Sequence, residues 1–262
     1  MSKFTSKISY AEQHDFNDGR EIDLLLSIFH LPPENLARLR NNPPAILAAI
    51  DQFATQKYLM NIGELKGKLI TDLISQTKPT TMVELGGYVG YSTILFASHL
   101  RAVSTAPPRY FCLELNPVFG AMIMALVDLA GLTEVVTVAI GPSDVSLKRL
   151  HAEGVLAKID MLFLDHYKPA YVRDLKLCES LGLVAAGSVL VADNVVKPGN
   201  PPYLEYVRAS VEEKKVKKEA LGVGLGDEAM GDPLLRYKSR MVESFEPTGI
   251  PDAIEITVCE GY

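Results

Sequence analysis

The chain contains no tryptophan, and its 3 cysteines, Cys112, Cys178 and Cys259, each lie in an apolar run. An odd number of cysteines with no Cys-x-x-Cys or Cys/His spacing excludes a zinc framework and a disulfide scaffold. Buried, reduced thiols are expected instead, as in a cytoplasmic protein. There is no surplus of basic charge. The 26 Lys and Arg against 32 Asp and Glu leave a net −6, opposite in sign to a nucleic-acid footprint. One basic cluster, Lys214-Lys215-Val216-Lys217-Lys218, reads as a solvated helix end or loop. The longest apolar stretch, over 181–192, is broken by Gly182, Gly187 and Ser188, so no bilayer span is expected. The opening residues, MSKFTSKISYAEQHDF, carry no apolar signal core. The G-x-G-x-x-G fingerprint of dinucleotide folds is also missing, and so are internal repeats.

Alternating elements fill the rest. Residues 1–19 are polar and read as a flexible extension, and 20–262 as a single domain. Within it, 20–76 carries helices, over 21–30, 34–40, 43–57 and 64–76. The last of these repeats apolar residues at Leu65, Leu69, Ile70 and Leu73, an amphipathic stripe. From 77 onward strands (81–86, 109–114, 134–140, 160–165, 188–193) alternate with helices (91–101, 117–130, 146–153, 170–181, and one opened by Pro201 or Pro202). That order predicts an α/β fold with a doubly wound, mainly parallel sheet. Two strand-like runs at 240–246 and 253–259 have no helix between them, which predicts an antiparallel hairpin at one sheet edge. The glycine-rich stretch 220–232 reads as a flexible loop.

Two strand ends carry the chemistry. Met161-Leu-Phe-Leu-Asp165-His166-Tyr167-Lys168 and Val189-Leu-Val-Ala-Asp193-Asn194 are apolar runs that stop at carboxylate and amide oxygens. Charge is costly inside a buried strand, so the acids mark where the strands leave the core, the edge where open α/β sheets bind ligands. Asp165, Asp193 and Asn194 offer hard oxygens without a nearby cysteine, which suits Mg²⁺ or Ca²⁺. A vicinal aromatic diol would complete such a shell in chelating geometry. A metal lowers the pKa of a bound hydroxyl, and Lys168 stands close enough in sequence to take the proton. The plainer reading of Lys168 is a surface lysine opening a helix, and of His166 a packing residue. Tyr167 and Pro198 read as walls for an aromatic ring, or as loop residues.

A second motif, Val83-Glu84-Leu-Gly86-Gly-Tyr88-Val-Gly-Tyr-Ser92, joins the first sheet strand to a helix. Its glycines allow close backbone approach to a ligand. Glu84 sits badly with a pyrophosphate and would rather meet an ammonium. Glu114 ends the next strand, where an acid commonly takes ribose hydroxyls. A ribose, an ammonium and a carboxylate without phosphate describe S-adenosylmethionine.

At these residues the chain resembles the catechol O-methyltransferase family. The likeness runs continuously over about 44–206 and more weakly through the tail. It implies a Rossmann-like methyltransferase fold with a seven-stranded sheet and extra N-terminal helices. It implies S-adenosylmethionine and Mg²⁺ as cofactors and a small aromatic diol as partner, with no nucleic acid and no membrane; the oligomeric state stays open, a monomer included. Tyr58-Leu-Met60-Asn61-Ile62-Gly63 is similar to the segment that shapes the donor pocket. By resemblance Glu84 and Ser92 would hold the methionine end, Glu114 the ribose, and Ser143 with His166 the adenine side, with Met60, Asn61, Ile62, Gly86, Tyr88 and Asp165 also binding the donor. Mg²⁺ would sit on Asp165, Asp193 and Asn194, with Lys168 as catalytic base. The family's tryptophan walls are replaced by Tyr58 and Tyr167. Its glutamate for the second hydroxyl matches Glu243, with Asp252 as the weaker alternative. A methyltransferase acting on another phenol, and a non-catalytic donor-binding protein, are the competing readings.

Overall fold

The computed structural model describes residues 18–220 and 231–262; the proposed loop and most of the N-terminal extension lie outside the described residues. Among the described residues four helices come first: α1 (Arg20–Phe29), α2 (Pro33–Leu39), α3 (Pro43–Ala54) and α4 (Gly63–Thr77). Prolines at the first turn of α2 and α3 suit positions where the amide has no helical partner anyway. Strands and helices then alternate: β1 (Thr81–Leu85), α5 (Tyr91–Val103), β2 (Arg109–Glu114), α6 (Pro117–Leu129), β3 (Val136–Ile140), α7 (Ser143–Ala152), β4 (Met161–Leu164), α8 (Tyr171–Ser180), β5 (Val189–Ala192), α9 (Pro201–Arg208) and α10 (Val211–Ala220). The chain closes with β6 (Arg236–Phe245) and β7 (Pro251–Gly261).

The seven strands of the described residues form one sheet in the order β3-β2-β1-β4-β5-β7-β6. β1 to β5 pair in parallel, and β7 is antiparallel to both β5 and β6. This is the expected doubly wound sheet with its edge hairpin. The hairpin strands are longer than their apolar patterns suggested, because β6 alternates half-buried and exposed residues at the sheet's outer edge.

Side chains alternate across each strand, and two cores result. Met82, Tyr110, Cys112, Met161, Phe163, Val189 and Val191 face one side, packed against residues of α1, α3, α4, α5 and α6. Val83, Leu85, Phe111, Leu162, Leu164 and Leu190 face the other, against α7, α8 and α9. Strands buried on both faces are mostly apolar, which is why most of their carboxylates stand at or next to the ends. Among the described residues no helix is long and apolar enough to cross a membrane.

Candidate active site

Register brings the strand ends together. Cys112 pairs with Glu84, Glu84 with Phe163, and Phe163 with Val191. Two residues further along each chain, Glu114, Gly86, Asp165 and Asp193 form the next row across β2, β1, β4 and β5. The ladder continues through it, from Gly86 N to Leu113 O (2.9 Å), Asp165 N to Leu85 O (3.0 Å) and Asp193 N to Leu164 O (3.0 Å). By the period of two, the three acids of that row point to the same side of the sheet. Gly86 is required in the row: its φ is +90°, and a Cβ there would stand 2.6 Å from Asp165 O. The strand order reverses between β1 and β4, the place where such sheets hold ligands.

A cavity of about 640 Å³ opens at that point, with Met60, Gly86, Tyr88, Glu114, Ser143, Asp165, His166 and Tyr167 in its lining, a size typical of small-molecule sites. Glu114 is pinned by backbone amides: Oε2 accepts from Gly87 N (3.0 Å) and Tyr88 N (2.9 Å), and Oε1 from Asn116 N (2.8 Å). His166 and Ser143 both bind Asp174, His166 through Nε2 at 2.9 Å. Burial opposes the Asp174 charge, but hydrogen bonds from His166, Arg173 and Ser143 hold its pKa below the usual range. His166 also stacks on Tyr171, ring centroids 4.9 Å apart.

Not every expected donor contact lines the cavity. Ser92, Asn61, Ile62 and Glu84 are buried behind it. Glu84 accepts from Thr93 Oγ1 at 2.5 Å, and burial raises its carboxyl pKa. Glu84 Oε1, Asn61 Nδ2 and His166 Nδ1 are nonetheless buried without a hydrogen-bond partner. Such atoms are uncommon in folded proteins.

The metal-type oxygens lie beside this cavity. Asn194 takes the left-handed conformation, φ 58° and ψ 38°, which asparagine tolerates better than most residues. Its Nδ2 donates to Glu246 Oε1 (2.6 Å) and Asp252 Oδ2 (3.0 Å), so its Oδ1 is turned the other way, to Lys168 Nζ at 2.7 Å. Lys168 Nζ also reaches Asp165 Oδ1 (3.1 Å) and Tyr171 OH (2.7 Å). Asp165 and Lys168 are each about one-fifth exposed. Burial and the neighbouring Asp193 charge, partly offset by Lys168, push the Asp165 carboxyl up to about 7. Behind Asp193, buried Lys66 on α4 binds Asp193, Asp252 and Glu246. Burial opposes the ammonium, yet the three carboxylates outweigh it and raise its pKa. Burial likewise pushes Glu246 up to about 8, against the pull of Lys66.

Two expectations are corrected here. Glu243 does not join the site: it is exposed on β6, opposite Ala253. Glu246, just past the strand, stands there instead, with Asp252 beside it. Tyr58 is buried, its carbonyl taken by Arg20 Nη1 at 3.1 Å, and does not line the cavity; Tyr167, 74% exposed, does. Pro198 is exposed in the turn after Asn194. Lys66, Tyr171, Asp174 and Glu246 escaped the sequence reading. Lys66 alone left a trace, since it precedes Ile70 and Leu73 by four and seven residues and so falls on the buried face of α4.

The sequence profile of the O-methyltransferase family matches residues 40–218. The chain belongs to the O-methyltransferase family. Among similar members, catechol O-methyltransferase of Bos taurus is 38% identical over 170 residues, 64% of this chain and 61% of that protein. Transmembrane O-methyltransferase of Homo sapiens is 34% identical over 175 residues, 65% of this chain and 58% of that protein. The chain thus spans less than two thirds of these relatives' length. O-methyltransferase structures share the fold: that of Streptomyces achromogenes, in complex with S-adenosylmethionine, has a TM-score of 0.59 at 22% identity, covering 82% of this chain and 89% of that one. That of Bacillus cereus, with S-adenosylhomocysteine, has a TM-score of 0.56 at 20% identity, covering 91% and 96%.

Proposed function

We propose that this O-methyltransferase moves a methyl group from S-adenosylmethionine to one hydroxyl of a catechol-like aromatic diol. One observation carries the reading: the row Glu114, Gly86, Asp165 and Asp193 at the switch of strand order, with Asn194 and Lys168 against it. The 38% identity to catechol O-methyltransferase supports the acceptor class.

The residues fit the donor. Glu84 Oε1 and Asn61 Nδ2, an acceptor and a donor buried without a partner, match an amino-acid ammonium and carboxylate. Glu114 is anchored on three backbone amides and so is held ready for ribose hydroxyls. His166 Nδ1, orphaned at the cavity wall, suits a ring nitrogen or exocyclic amine. The oxygen set also fits a hard divalent ion. Asp165, Asp193 and Asn194 would hold Mg²⁺, which when bound would supply Lewis acidity to a diol hydroxyl.

The chain's own groups do the rest. Lys168, as free amine, takes the hydroxyl proton. The oxygen forms its bond to the methyl carbon as the carbon–sulfur bond breaks, and the sulfonium leaves as a neutral thioether. Glu246 stands on the Asn194 side to accept from the second hydroxyl. Tyr167 walls the ring. Holding donor and acceptor in line supplies roughly 7–11 kcal/mol of the barrier.

Mass spectrometry of aromatic diols and monophenols, incubated with the methyl donor with and without Mg²⁺, tests this. Methylated diols that vanish in EDTA and return with Mg²⁺ are expected. Methylation of monophenols alone, or full turnover in chelator, would sink the diol and metal assignments respectively.

A further inference from the structure

Behind the proposed metal ligands stands a second cluster. The carboxylates of Asp193, Glu246 and Asp252 place oxygens within 4.8 Å of one another. Three acids at that spacing resemble the donor set of a hard cation, but here an ammonium occupies it. Lys66, with no solvent exposure, sets Nζ 2.7 Å from Asp193 Oδ1 and 2.6 Å from Asp252 Oδ2, and it also bonds Glu246 Oε1. An ammonium has three donors and no acceptor, so the three partners satisfy it completely.

Asp193 is the hinge between the clusters. Its Oδ1 is committed to Lys66 and to Asn194 N at 2.7 Å, which leaves Oδ2 as its other donor oxygen. In two-metal sites the ions stand about 3.5–4 Å apart. Glu246 and Asp252, gathered by Lys66, also take both Nδ2 hydrogens of Asn194 and so aim its Oδ1 toward Asp165 and Lys168.

We infer that Lys66 is a built-in cation filling what would otherwise be a second metal position, and that it limits the centre to one divalent ion on Asp165, Asp193 and Asn194. This rests on the metal assignment proposed above. Lys66 is a positioning residue: it acts through Asp193 and Asn194.

Ion stoichiometry is a readout that a merely structural lysine would not move. Mn²⁺ titration of the metal-free full chain, followed by calorimetry and by paramagnetic resonance of free Mn²⁺, is expected to give one ion for the wild type and two for Lys66→Met. Lys66→Arg, which keeps the charge, is expected to return the count to one. One ion on both wild type and Lys66→Met overturns this inference and leaves the metal assignment standing. No ion on the wild type overturns both. Should Lys66→Met fail to fold without metal, millimolar Mn²⁺ is expected to restore its native circular dichroism, the ions replacing the lost ammonium. A variant that stays unfolded in Mn²⁺ overturns the inference as well.

Discussion

Lys168 Nζ donates three hydrogen bonds, to Asp165 Oδ1, Tyr171 OH and Asn194 Oδ1. Two of these partners are proposed metal ligands, so the lysine and the ion share their environment. Lys168→Ala is expected to lower kcat by about 10²–10⁴-fold, the range of a lost general base, while S-adenosylmethionine affinity by calorimetry stays within a few-fold. Unchanged kcat would remove Lys168 as base. Gly86 makes an independent prediction. Its positive φ and the 2.6 Å approach to Asp165 O leave no room for a methyl group. Gly86→Ala is expected to cost roughly 1–3 kcal/mol of stability and to weaken donor binding, read by denaturant unfolding and by calorimetry. Asp165, Asp193, Asn194 and Lys168 were legible in sequence because each interrupts or directly follows an apolar strand. Glu246 was not, because it sits past the end of β6, where only the hairpin's register tells which acid turns inward.

Helix ends hold these side chains at the right depth. Asn200 caps α9: its side chain accepts from Tyr203 N and its Nδ2 donates to Lys168 O at 2.9 Å. One residue therefore ties the start of α9 to the backbone of the proposed base. Asn200→Ala is expected to destabilise the fold by roughly 0.5–2 kcal/mol, the usual cost of a lost cap. It should also reduce kcat more than it raises the donor KM. Equal kcat in mutant and wild type would show that Lys168 is held without this tie. α1 reaches the glycine turn in a similar way, with Glu21 Oε1 accepting from Tyr88 OH at 2.6 Å. Element types followed from periodicity, and boundaries moved by a few residues where caps or hairpin pairing outweighed the apolar pattern. α7 starts three residues earlier than its apolar pattern implied, since Pro142 and Ser143 open it.

Over the whole molecule, burying four acids and two lysines near one another couples stability to pH and to metal. Asp165 and Glu246 have carboxyls raised from 3.8 to about 7 and from 4.5 to about 8. A raised carboxyl binds its proton more tightly in the fold than in the unfolded chain. Its contribution to stability is complete below the unfolded pKa and is lost as pH rises through about 7 to 8. The metal-free protein is therefore expected to lose thermal stability from about pH 4 to pH 8. Mg²⁺ binds the ionised form, so the Tm difference between Mg²⁺ and EDTA should widen over the same window. Calorimetric melts at several pH values in each condition check this; a gap that stays constant with pH would contradict it.

The sequence by itself determined the alternation of strands and helices, the antiparallel tail and the strand ends that carry Asp165, Asp193 and Asn194. A strand buried on both faces favours apolar residues, and its carboxylates gather at or near the end where the strand leaves the core. What tertiary structure alone decided is which distant groups meet those ends. Lys66 comes from a helix that precedes the sheet, and Glu246 and Asp252 from the hairpin that closes it. No local pattern encodes that meeting, because it depends on β7 inserting antiparallel between β5 and β6 and carrying its turn to the edge where α4 begins.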